Sequence, residues 1–475
     1  MAEPLWTSGA VAAATGGVES GAFAATGVSI DTRSLEPGDL FVALAGARDG
    51  HAFVAQAMAA GAAGVLASRE VDAPSVRAGD TLRALEALGI AARDRAAGAR
   101  RGAVTGSVGK TSVTQAVMAG LSLAGRAHSS VKSYNNHIGV PLTLARMPAD
   151  TERAVFEIGM NHADEIRPLS EMVRPHAAVV TTIGPVHTEN FADGEAGVAM
   201  AKAEIFDGLQ FGGVAVLNAD NAHFGLLEAR AVAAGAKVRT FGRAAGCDAR
   251  LLDFRAADGM AQVRAELDGR RVDFPLLQTG LHWGLNSLAV ILMLEALDVR
   301  LDLALTALSG FAPLAGRGAE RRLDGPRGAF TLIDESYNAN PVSMASAIAT
   351  LGQRSVAGRR IVALTDMLEL GPEAQAFHAG LAAPIAAATI DLVFCAGPLM
   401  KSLWDALPPT RRGGYAETAA VLAPQLSEAV RAGDVVMVKG SNGSRAGQVV
   451  QALLAAGSPR QAPGRALKGP GGEAG

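Results

Sequence analysis

The strongest constraint on the fold is a glycine-rich turn between a short apolar run and an apolar helix. Residues 105–112 read Thr-Gly-Ser-Val-Gly-Lys-Thr-Ser. Backbone N–H groups of such a turn can converge on phosphate oxygens at the N-terminus of the following helix. The Gly-Lys-Thr sequence in this context predicts a nucleotide-phosphate loop, although Val104 stands where the full pattern has glycine. An ordinary Gly-rich turn is the weaker alternative.

The predicted phosphate-binding residues are consecutive. In this pattern the lysine neutralises the outer phosphates and the hydroxyl after it binds Mg²⁺. The prediction comprises Gly106, Ser107, Val108, Gly109, Lys110, Thr111 and Ser112.

The chain has 475 residues, which is too long for a single core and predicts about two to four domains. From about 100 to 312, apolar strand-like runs alternate with helical segments, which favours βαβ units and a largely parallel sheet. Residues 248–277 instead alternate over short runs, which predicts an antiparallel appendage. The α/β rhythm returns after a Pro- and Gly-flanked hinge near residues 311–313. We therefore predict domains at 1–99, 100–312 and 313–457, followed by a disordered tail at 458–475.

Composition excludes several classes of protein. The net charge is −3 with both signs scattered, whereas a nucleic-acid footprint needs concentrated Lys and Arg. No apolar run reaches membrane-spanning length, and the first residues lack a basic segment leading into an apolar one. The two cysteines, Cys247 and Cys395, lie far apart and have no metal-binding spacing. These features predict a cytoplasmic protein with no nucleic-acid partner and no membrane span.

Five further residues could carry chemistry. Glu157 ends an apolar run, where ligand sites of α/β sheets collect, but it could equally be a carboxylate at a helix N-terminus. His187 lies in a Gly-Pro loop, and its local sequence gives even odds of a structural or an orienting role. Asn135 and Asn136 are either turn formers or polar groups that reach a ligand. Lys202 is interpreted from local pattern alone as a solvated helix lysine.

Together these residues resemble the Mur ligases over about residues 25–455. The resemblance rests on the phosphate loop at 105–111, which normally lacks the first glycine in this family, and on Asn-Asn-His-Ile-Gly-Val-Pro at 135–141. It implies an α/β protein with three domains: a small N-terminal α/β domain, a central P-loop parallel-sheet ATPase-type domain, and a C-terminal Rossmann-like α/β domain. It also implies ATP and two Mg²⁺ ions, with metal ligands at Thr111, Glu157, His187 and Lys202. In this family the lysine is carbamylated, which replaces its ammonium with a carboxylate-like ligand.

The resemblance assigns further site residues. Asn286, in Gly-x-His-x-x-x-Asn at 280–286, corresponds to the adenine side of the nucleotide site. Arg317 and Asp334 correspond to residues of the third domain that serve the phosphate and the ribose. With Lys110, Lys202 and His187, Arg317 completes the implied catalytic set. The segments 30–34 and 48–53 resemble those that receive the UDP-sugar, which implies Thr32, Arg33, Asp49 and His51 as substrate residues; turn chemistry is the alternative.

Within the family, three motifs narrow the substrates. The segments at 334–341, 365–371 and 438–441 resemble those of the member that joins D-alanyl-D-alanine to UDP-N-acetylmuramoyl-tripeptide, except that Thr365 replaces a usual glycine. This implies an acyl-phosphate intermediate and the last cytoplasmic step of peptidoglycan precursor synthesis, carried out by a monomer. The implied substrate residues are Asn135, Asn136, Asn338, Asn340, Lys439 and Ser441.

Three alternatives stay open. Another amino-acid-adding Mur ligase or a folylpolyglutamate synthase-like ligase would share the phosphate loop but differ in the third-domain motifs. A noncatalytic amidating-partner relative with a zinc ribbon would need four closely spaced cysteines, and the chain has two. A P-loop switch or motor would need a Walker B acid, for which the sequence offers no compelling candidate.

Overall fold

The computed structural model describes residues 3–46, 48–131, 133–186, 188–257 and 259–459. The predicted tail at 458–475 lies mostly outside this range, and its first two residues form a short strand. The chain divides into two compact units, residues 1–311 and 312–475. None of the helices in the described ranges combines the length and apolarity needed to cross a membrane.

The N-terminal part of the first unit is a small α/β domain. Its described residues form a five-stranded sheet in the order β2-β7-β6-β5-β4, parallel except for β2, and a two-stranded pair of β1 and β3. Its elements are β1 (Trp6–Thr7), α1 (Ser8–Thr15), β2 (Val18–Ser20), β3 (Ala24–Ala25), β4 (Gly27–Ser29), β5 (Asp39–Val42), α2 (Val54–Ala59), β6 (Gly64–Ala67), β7 (Ser75–Arg77) and α3 (Thr81–Arg95).

The helix α3 begins at an aspartate cap and buries an apolar face. The Asp80 carboxylate accepts hydrogen bonds from the N–H groups of Leu82 and Arg83, which caps the first turn. Leu85 and Leu88 lie on its buried face. This face packs on α1 and on a helix of the central part, so α3 joins the two parts of the first unit.

The central part is a larger α/β domain around a nine-stranded sheet, counted over the described residues, in the order β16-β15-β14-β13-β12-β11-β8-β10-β9. Its elements are β8 (Arg100–Thr105), α4 (Lys110–Ala124), β9 (Ala127–Ser129), α5 (Gly139–Ala145), β10 (Arg153–Glu157), α6 (Ile166–Val173), β11 (Ala177–Val180), α7 (Gly194–Ala203), β12 (Val214–Asn218), α8 (Phe224–Ala233), β13 (Lys237–Gly242), β14 (Ala249–Ala257), β15 (Met260–Leu267), β16 (Arg270–Leu276), α9 (His282–Ala296) and α10 (Leu301–Gly310).

The order of the parallel strands sets the position of the site. β10 and β11 flank β8 on opposite sides, and both run parallel to it. The loops that follow these three strands therefore open at the same edge of the sheet, where ligands bind in open α/β folds. Successive strand residues alternate between two cores: Val104 packs in the core with α4 and α9, and Ala103 in the core with α6 and α7.

The predicted antiparallel appendage is confirmed as the β14-β15-β16 meander. It also extends the main sheet, because Phe241 and Gly242 of β13 pair in parallel with the first residues of β14. The alternation of buried and exposed residues along β15 is that of a strand with one solvated face.

The second unit carries a seven-stranded sheet, counted over its described residues, in the order β21-β20-β19-β22-β18-β17-β23. The strands from β21 to β18 are parallel. β17 pairs antiparallel with β18 on one side and with β23 on the other. Its elements are β17 (Ala319–Gly325), β18 (Gly328–Glu335), α11 (Pro341–Gly352), β19 (Arg360–Thr365), α12 (Ala374–Gly380), α13 (Ala382–Ala387), β20 (Leu392–Ala396), α14 (Met400–Ala406), β21 (Arg412–Ala416), α15 (Ala419–Ala429), β22 (Val435–Lys439), α16 (Ala446–Ala456) and β23 (Ser458–Pro459).

Candidate functional site

The loop after β8 owes its shape to two glycines in the positive-φ region. Gly106 has φ 143° and Gly109 has φ 90°, values that L side chains rarely adopt. A Cβ on Gly106 would lie 2.0 Å from Oγ1 of Thr181, so only glycine lets the end of β11 approach this closely. Gly109 directly precedes the first residue of α4.

The segment after β11 holds this loop through hydrogen bonds. The Ser107 N–H donates to the Thr182 carbonyl at 2.8 Å, and Ser107 Oγ lies 3.1 Å from both the nitrogen and the carbonyl oxygen of Gly184. Thr181 Oγ1 donates to the Val108 carbonyl at 2.6 Å. The loop is therefore held in place by its neighbour strand, which lowers the entropic cost of ordering it around a phosphate.

Lys110 is the first residue of α4, and its side chain bends back over the loop. Its Nζ donates to the Gly106 carbonyl at 2.7 Å. The positive end of the α4 dipole and the ammonium group thus lie at the same place, where an anion is favoured. Ser112, two residues further along α4, is buried.

A polar relay connects α4 to the end of β10. Glu157 is the last residue of β10 and is 2% exposed. Its Oε1 accepts from Asn135 Nδ2 at 2.7 Å and from Ser133 Oγ at 2.9 Å. Ser133 Oγ also lies 3.3 Å from Oγ1 of Thr111. The structure therefore brings Thr111 and Glu157 together as predicted, with Ser133 between them.

Sequence reasoning missed Ser133. Its one sequence signal is its place two residues before Asn135 on the same loop, and serine is a common turn residue. Asn136, also predicted as a substrate residue, accepts from the N–H groups of Ile138 and Gly139 and so starts α5.

The donor chemistry of this relay fits Mg²⁺. The Thr111 hydroxyl and the Glu157 carboxylate are hard oxygen ligands, and Mg²⁺ is usually held by one or two such groups together with substrate phosphates and water. The third predicted ligand, His187, lies outside the described residues.

Lys202 is deeply buried near the end of α7, with 1% of its surface exposed. The local interpretation of Lys202 as a solvated lysine is therefore wrong, because tertiary neighbours cover this face of the helix. Burial, and then the nearby charge of Lys110, lower the pKa of Lys202 well below its usual value. Within the described ranges, no carboxylate forms an ion pair with it.

Asn286 lies on the buried side of α9, against the phosphate loop. A Cβ on Gly109 would stand 3.3 Å from its Nδ2. The predicted nucleotide-side asparagine is thus next to the loop, and its contact with adenine stays a prediction.

The predicted UDP-sugar residues of the N-terminal part have different surroundings. His51 is buried, and its Nε2 accepts from the Ser68 N–H at 2.9 Å, so Nδ1 carries the proton and donates to Asp49 at 2.6 Å. The hydrogen bond from the His51 side chain is the main cause that lowers the pKa of Asp49 to about 2. Arg33 is largely exposed and pairs with Asp31, and Thr32 is half-buried.

In the second unit, Asp334 organises the segment that carries Arg317. Its Oδ2 accepts from the Gly316 N–H at 3.1 Å, and its Oδ1 accepts from Ser336 Oγ at 2.6 Å. The Arg317 guanidinium lies over the Tyr337 ring, 4.1 Å from its centre. Arg317 and Asp334, the two residues predicted for the nucleotide, are therefore held by contacts between the segment at 316–317 and the end of β18.

The predicted substrate residues of the second unit lie where β18, β19 and β22 end. Lys439 is buried, and its Nζ donates to Glu335 at 3.2 Å and to the Asn338 carbonyl at 3.0 Å. Ser441 Oγ accepts from the Leu368 N–H at 3.0 Å and lies 3.3 Å from the Ala339 carbonyl.

The two predicted asparagines of this region differ. Asn340 is buried and caps α11 in a reciprocal capping box with Ser343. Asn338 is exposed, and its Oδ1 accepts from the Ala339 N–H at 2.9 Å.

The first unit therefore gathers Lys110, Thr111, Glu157 and Lys202 at the edge of a parallel sheet. A rigid phosphate loop, a helix N-terminus, a hydroxyl–carboxylate relay and a buried lysine define the class of a P-loop α/β enzyme that acts on nucleotide phosphates.

Comparison with known proteins narrows this class. Three family profiles match in succession: the Mur ligase family catalytic domain at 24–97, the Mur ligase middle domain at 104–294 and the Mur ligase glutamate ligase domain at 321–442. The chain belongs to the Mur ligase family. These matches confirm the expected family and its three-domain α/β architecture.

Two relatives are similar over nearly their full length. The UDP-N-acetylmuramoyl-tripeptide--D-alanyl-D-alanine ligase of Escherichia coli is 35% identical over 440 residues, which cover 90% of this chain and 93% of that protein. The ligase of the same name from Bacillus subtilis is 34% identical with the same coverage.

A crystal structure of MurF from Acinetobacter baumannii superposes with a TM-score of 0.83 at 26% identity, covering 94% of this chain and 98% of that one. MurF from Thermotoga maritima in complex with ADP shares the fold, with a TM-score of 0.77, 23% identity and coverage of 90% and 96%.

Proposed function

We propose that this protein is an ATP-dependent ligase that joins D-alanyl-D-alanine to UDP-N-acetylmuramoyl-tripeptide, completing the peptidoglycan precursor in the cytoplasm. The phosphate loop, with Lys110 beside the buried Lys202 and the Thr111–Glu157 pair, is the observation that carries the chemistry. Similarity to ligases of that name along nearly the whole chain supports the choice of substrates.

The chemistry must overcome an unreactive carboxylate. An oxygen of the tripeptide carboxylate attacks the γ-phosphorus of ATP, and ADP leaves with the electron pair of the broken P–O bond. The neutral amine of the dipeptide then attacks the acyl carbon and loses a proton. The tetrahedral adduct collapses to the amide and phosphate. Lys110 and the N-terminus of α4 would stabilise the charge that moves between these oxygens.

The metal assignments follow from the donor set and the family resemblance. Thr111 and Glu157 would hold one Mg²⁺, and His187 and a carbamylated Lys202 would hold the second. When bound, the two ions would neutralise phosphate oxygens during transfer. Asn286, Arg317 and Asp334 are proposed for the nucleotide.

Lys202 is suited to carbamylation by its surroundings. Only a neutral amine attacks the carbon of CO₂, with release of one proton, and the lowered pKa of Lys202 favours that form. The product is an anion beside the Lys110 ammonium, so the carbamate is attracted to the same group that disfavours a charged Lys202 amine. A ¹³C NMR carbamate signal after incubation with ¹³C-bicarbonate, lost in K202M, would support this proposal. Absence of the carbamate signal from the wild-type protein would contradict the proposal.

The substrate assignments remain proposals. Arg33 and Thr32 would meet the UDP-sugar, and Asn338 and Ser441 the dipeptide. Most predicted substrate residues already bond within the fold and would position neighbouring groups as well as touch substrate. These are Arg33, Asp49, His51, Asn135, Asn136, Asn338, Asn340, Lys439 and Ser441. A monomer is the proposed form.

The function is tested by mass spectrometry of the product. Purified protein with Mg²⁺, ATP, UDP-N-acetylmuramoyl-tripeptide and D-alanyl-D-alanine should yield the pentapeptide nucleotide, ADP and phosphate. Parallel reactions with single amino acids, or with a folate and glutamate, should yield none. K110A should abolish the product while K237M, at an exposed strand position, should not. If product forms only with another amine acceptor, the protein has the activity of a different branch of the family.

A further inference from the structure

Ser133 occupies an unusual position between two predicted metal ligands. Its Oγ lies 2.9 Å from Oε1 of Glu157 and 3.3 Å from Oγ1 of Thr111. Asn135 Nδ2 is a third neighbour, 3.3 Å from Ser133 Oγ and 2.7 Å from the same Glu157 oxygen. These contacts join α4 and the end of β10, which lie far apart in sequence.

Counting protons gives the relay one direction. The single hydroxyl proton of Ser133 goes to Oε1 of Glu157. The bond between Ser133 and Thr111 must then use the proton of Thr111. Asn135 Nδ2 donates to the same Glu157 oxygen and makes a longer contact with Ser133 Oγ. Ser133 thus donates to Glu157 and accepts from Thr111.

This direction fixes which atoms face a cation. Both hydrogen bonds to Glu157 end on Oε1, and Oε2 accepts none from the described residues. Thr111 points its proton at Ser133, so its lone pairs face elsewhere. The loop itself is anchored, because the Gly159 N–H donates to the Asn135 carbonyl at 2.8 Å.

We propose that Ser133 is a positioning residue for the Mg²⁺ that Thr111 and Glu157 would hold, an inference that rests on the metal site of the proposed function. Ser133 sets the rotamer of both ligands and presents Oε2 of Glu157 and the lone pairs of Thr111 to the cation. Partners that orient metal ligands in this way typically contribute about 10–100-fold to metal affinity.

The test separates metal binding from nucleotide binding. Mg²⁺ would be titrated into protein saturated with ADP, and ADP into metal-free protein, by isothermal titration calorimetry of the full chain. S133A should bind Mg²⁺ about 10–100-fold more weakly with unchanged metal-free ADP affinity. S133T restores the hydroxyl and should bind Mg²⁺ close to the wild-type affinity. S122A is the matched control, because that serine sits on the exposed side of α4 and bonds only to its own helix.

Two results would overturn the proposal: equal Mg²⁺ affinity in S133A and the wild type, or an equal loss of metal-free ADP binding, which would indicate a purely structural role. Should S133A fail to fold, S133C supplies the same comparison, because a thiol of similar size is a weak donor and acceptor. The outcome is independent of product formation. A protein that makes no pentapeptide but loses Mg²⁺ affinity in S133A would refute the function and keep this inference.

Discussion

Each of the two units buries a lysine, Lys202 near the end of α7 and Lys439 at the end of β22, and the surroundings of the two lysines differ. In the second unit, Lys439 is 3% exposed and has Glu335 as its ion-pair partner at 3.2 Å. In the first unit, Lys202 is 1% exposed, pairs with no described carboxylate, and has another lysine, Lys110, beside it. A buried lysine with a carboxylate partner is a feature of the fold. A buried lysine without one has its charged form disfavoured, which makes it a strong candidate for chemistry.

The difference also separates stability from activity. Lys439 joins the ends of β18 and β22, so removing it should damage the structure first. Lys202 contributes no described ion pair to the fold, so removing it should affect the reaction first. The following variants test this contrast.

The largest expected effect is on activity in K202M. Loss of the proposed metal-binding carbamate should lower kcat by about 10²–10³-fold, as expected for removal of one group that stabilises a transition state. The free energy of unfolding should equal or exceed that of the wild type, because methionine is apolar and of similar length. Steady-state kinetics and urea titration measure both, with K237M as the exposed control. Wild-type kcat in K202M would contradict the assignment of Lys202 to the reaction.

K439M should show the opposite pattern. It leaves the Glu335 carboxylate without its partner, which should lower the free energy of unfolding by about 3 kcal/mol, the lower end for a buried pair because Glu335 is partly exposed. The control is K401M, which breaks an exposed pair with Asp405 on α14 and should cost less than about 0.5 kcal/mol. Equal losses in the two variants would show that burial does not distinguish these pairs.

Lys202 should also give stability a particular pH dependence in CO₂-free buffer. Its pKa is lowered in the folded protein, so between that lowered value and the unfolded value near 10.4 the unfolded chain binds more protons. The free energy of unfolding should therefore rise with pH in this window, by up to about 1.4 kcal/mol per pH unit relative to K202M. Below the lowered pKa the difference in slope disappears. Parallel pH profiles for the two proteins would mean that Lys202 is not buried as an amine.

The smallest effect concerns a residue predicted to contact substrate. N340A removes the cap of α11 and should cost about 1 kcal/mol of stability, and N340S should recover most of it. The KM for the dipeptide should change little in N340S. A large KM increase in N340S, with stability intact, would restore Asn340 to a direct substrate role.

The sequence predicted those parts of the site that depend on local pattern. The phosphate loop needs glycine at 106 and 109 for backbone reasons, and these positions are visible in the chain itself. The helix α3 at 81–95 likewise depends on local pattern, because an Asp80 cap precedes an apolar periodicity. Glu157 falls at the end of its strand because the apolar run that indicates the strand ends there.

Features that depend on tertiary contacts could not be predicted. Ser133 meets Glu157 across 24 residues, and no spacing rule connects them. The burial of Lys202 depends on elements that pack over α7. β11 ends at Val180, and Thr181 and Thr182 beyond it bond the phosphate loop, a contact that the sequence does not reveal.

The most direct test of the central claim follows one oxygen atom. Tripeptide nucleotide labelled with ¹⁸O in its terminal carboxylate would be converted with unlabelled ATP, and the released phosphate analysed by mass spectrometry. If the phosphate loop transfers the γ-phosphoryl group to that carboxylate, each phosphate carries one ¹⁸O from the labelled group. Phosphate free of ¹⁸O, formed together with pentapeptide product, would contradict the acyl-phosphate account.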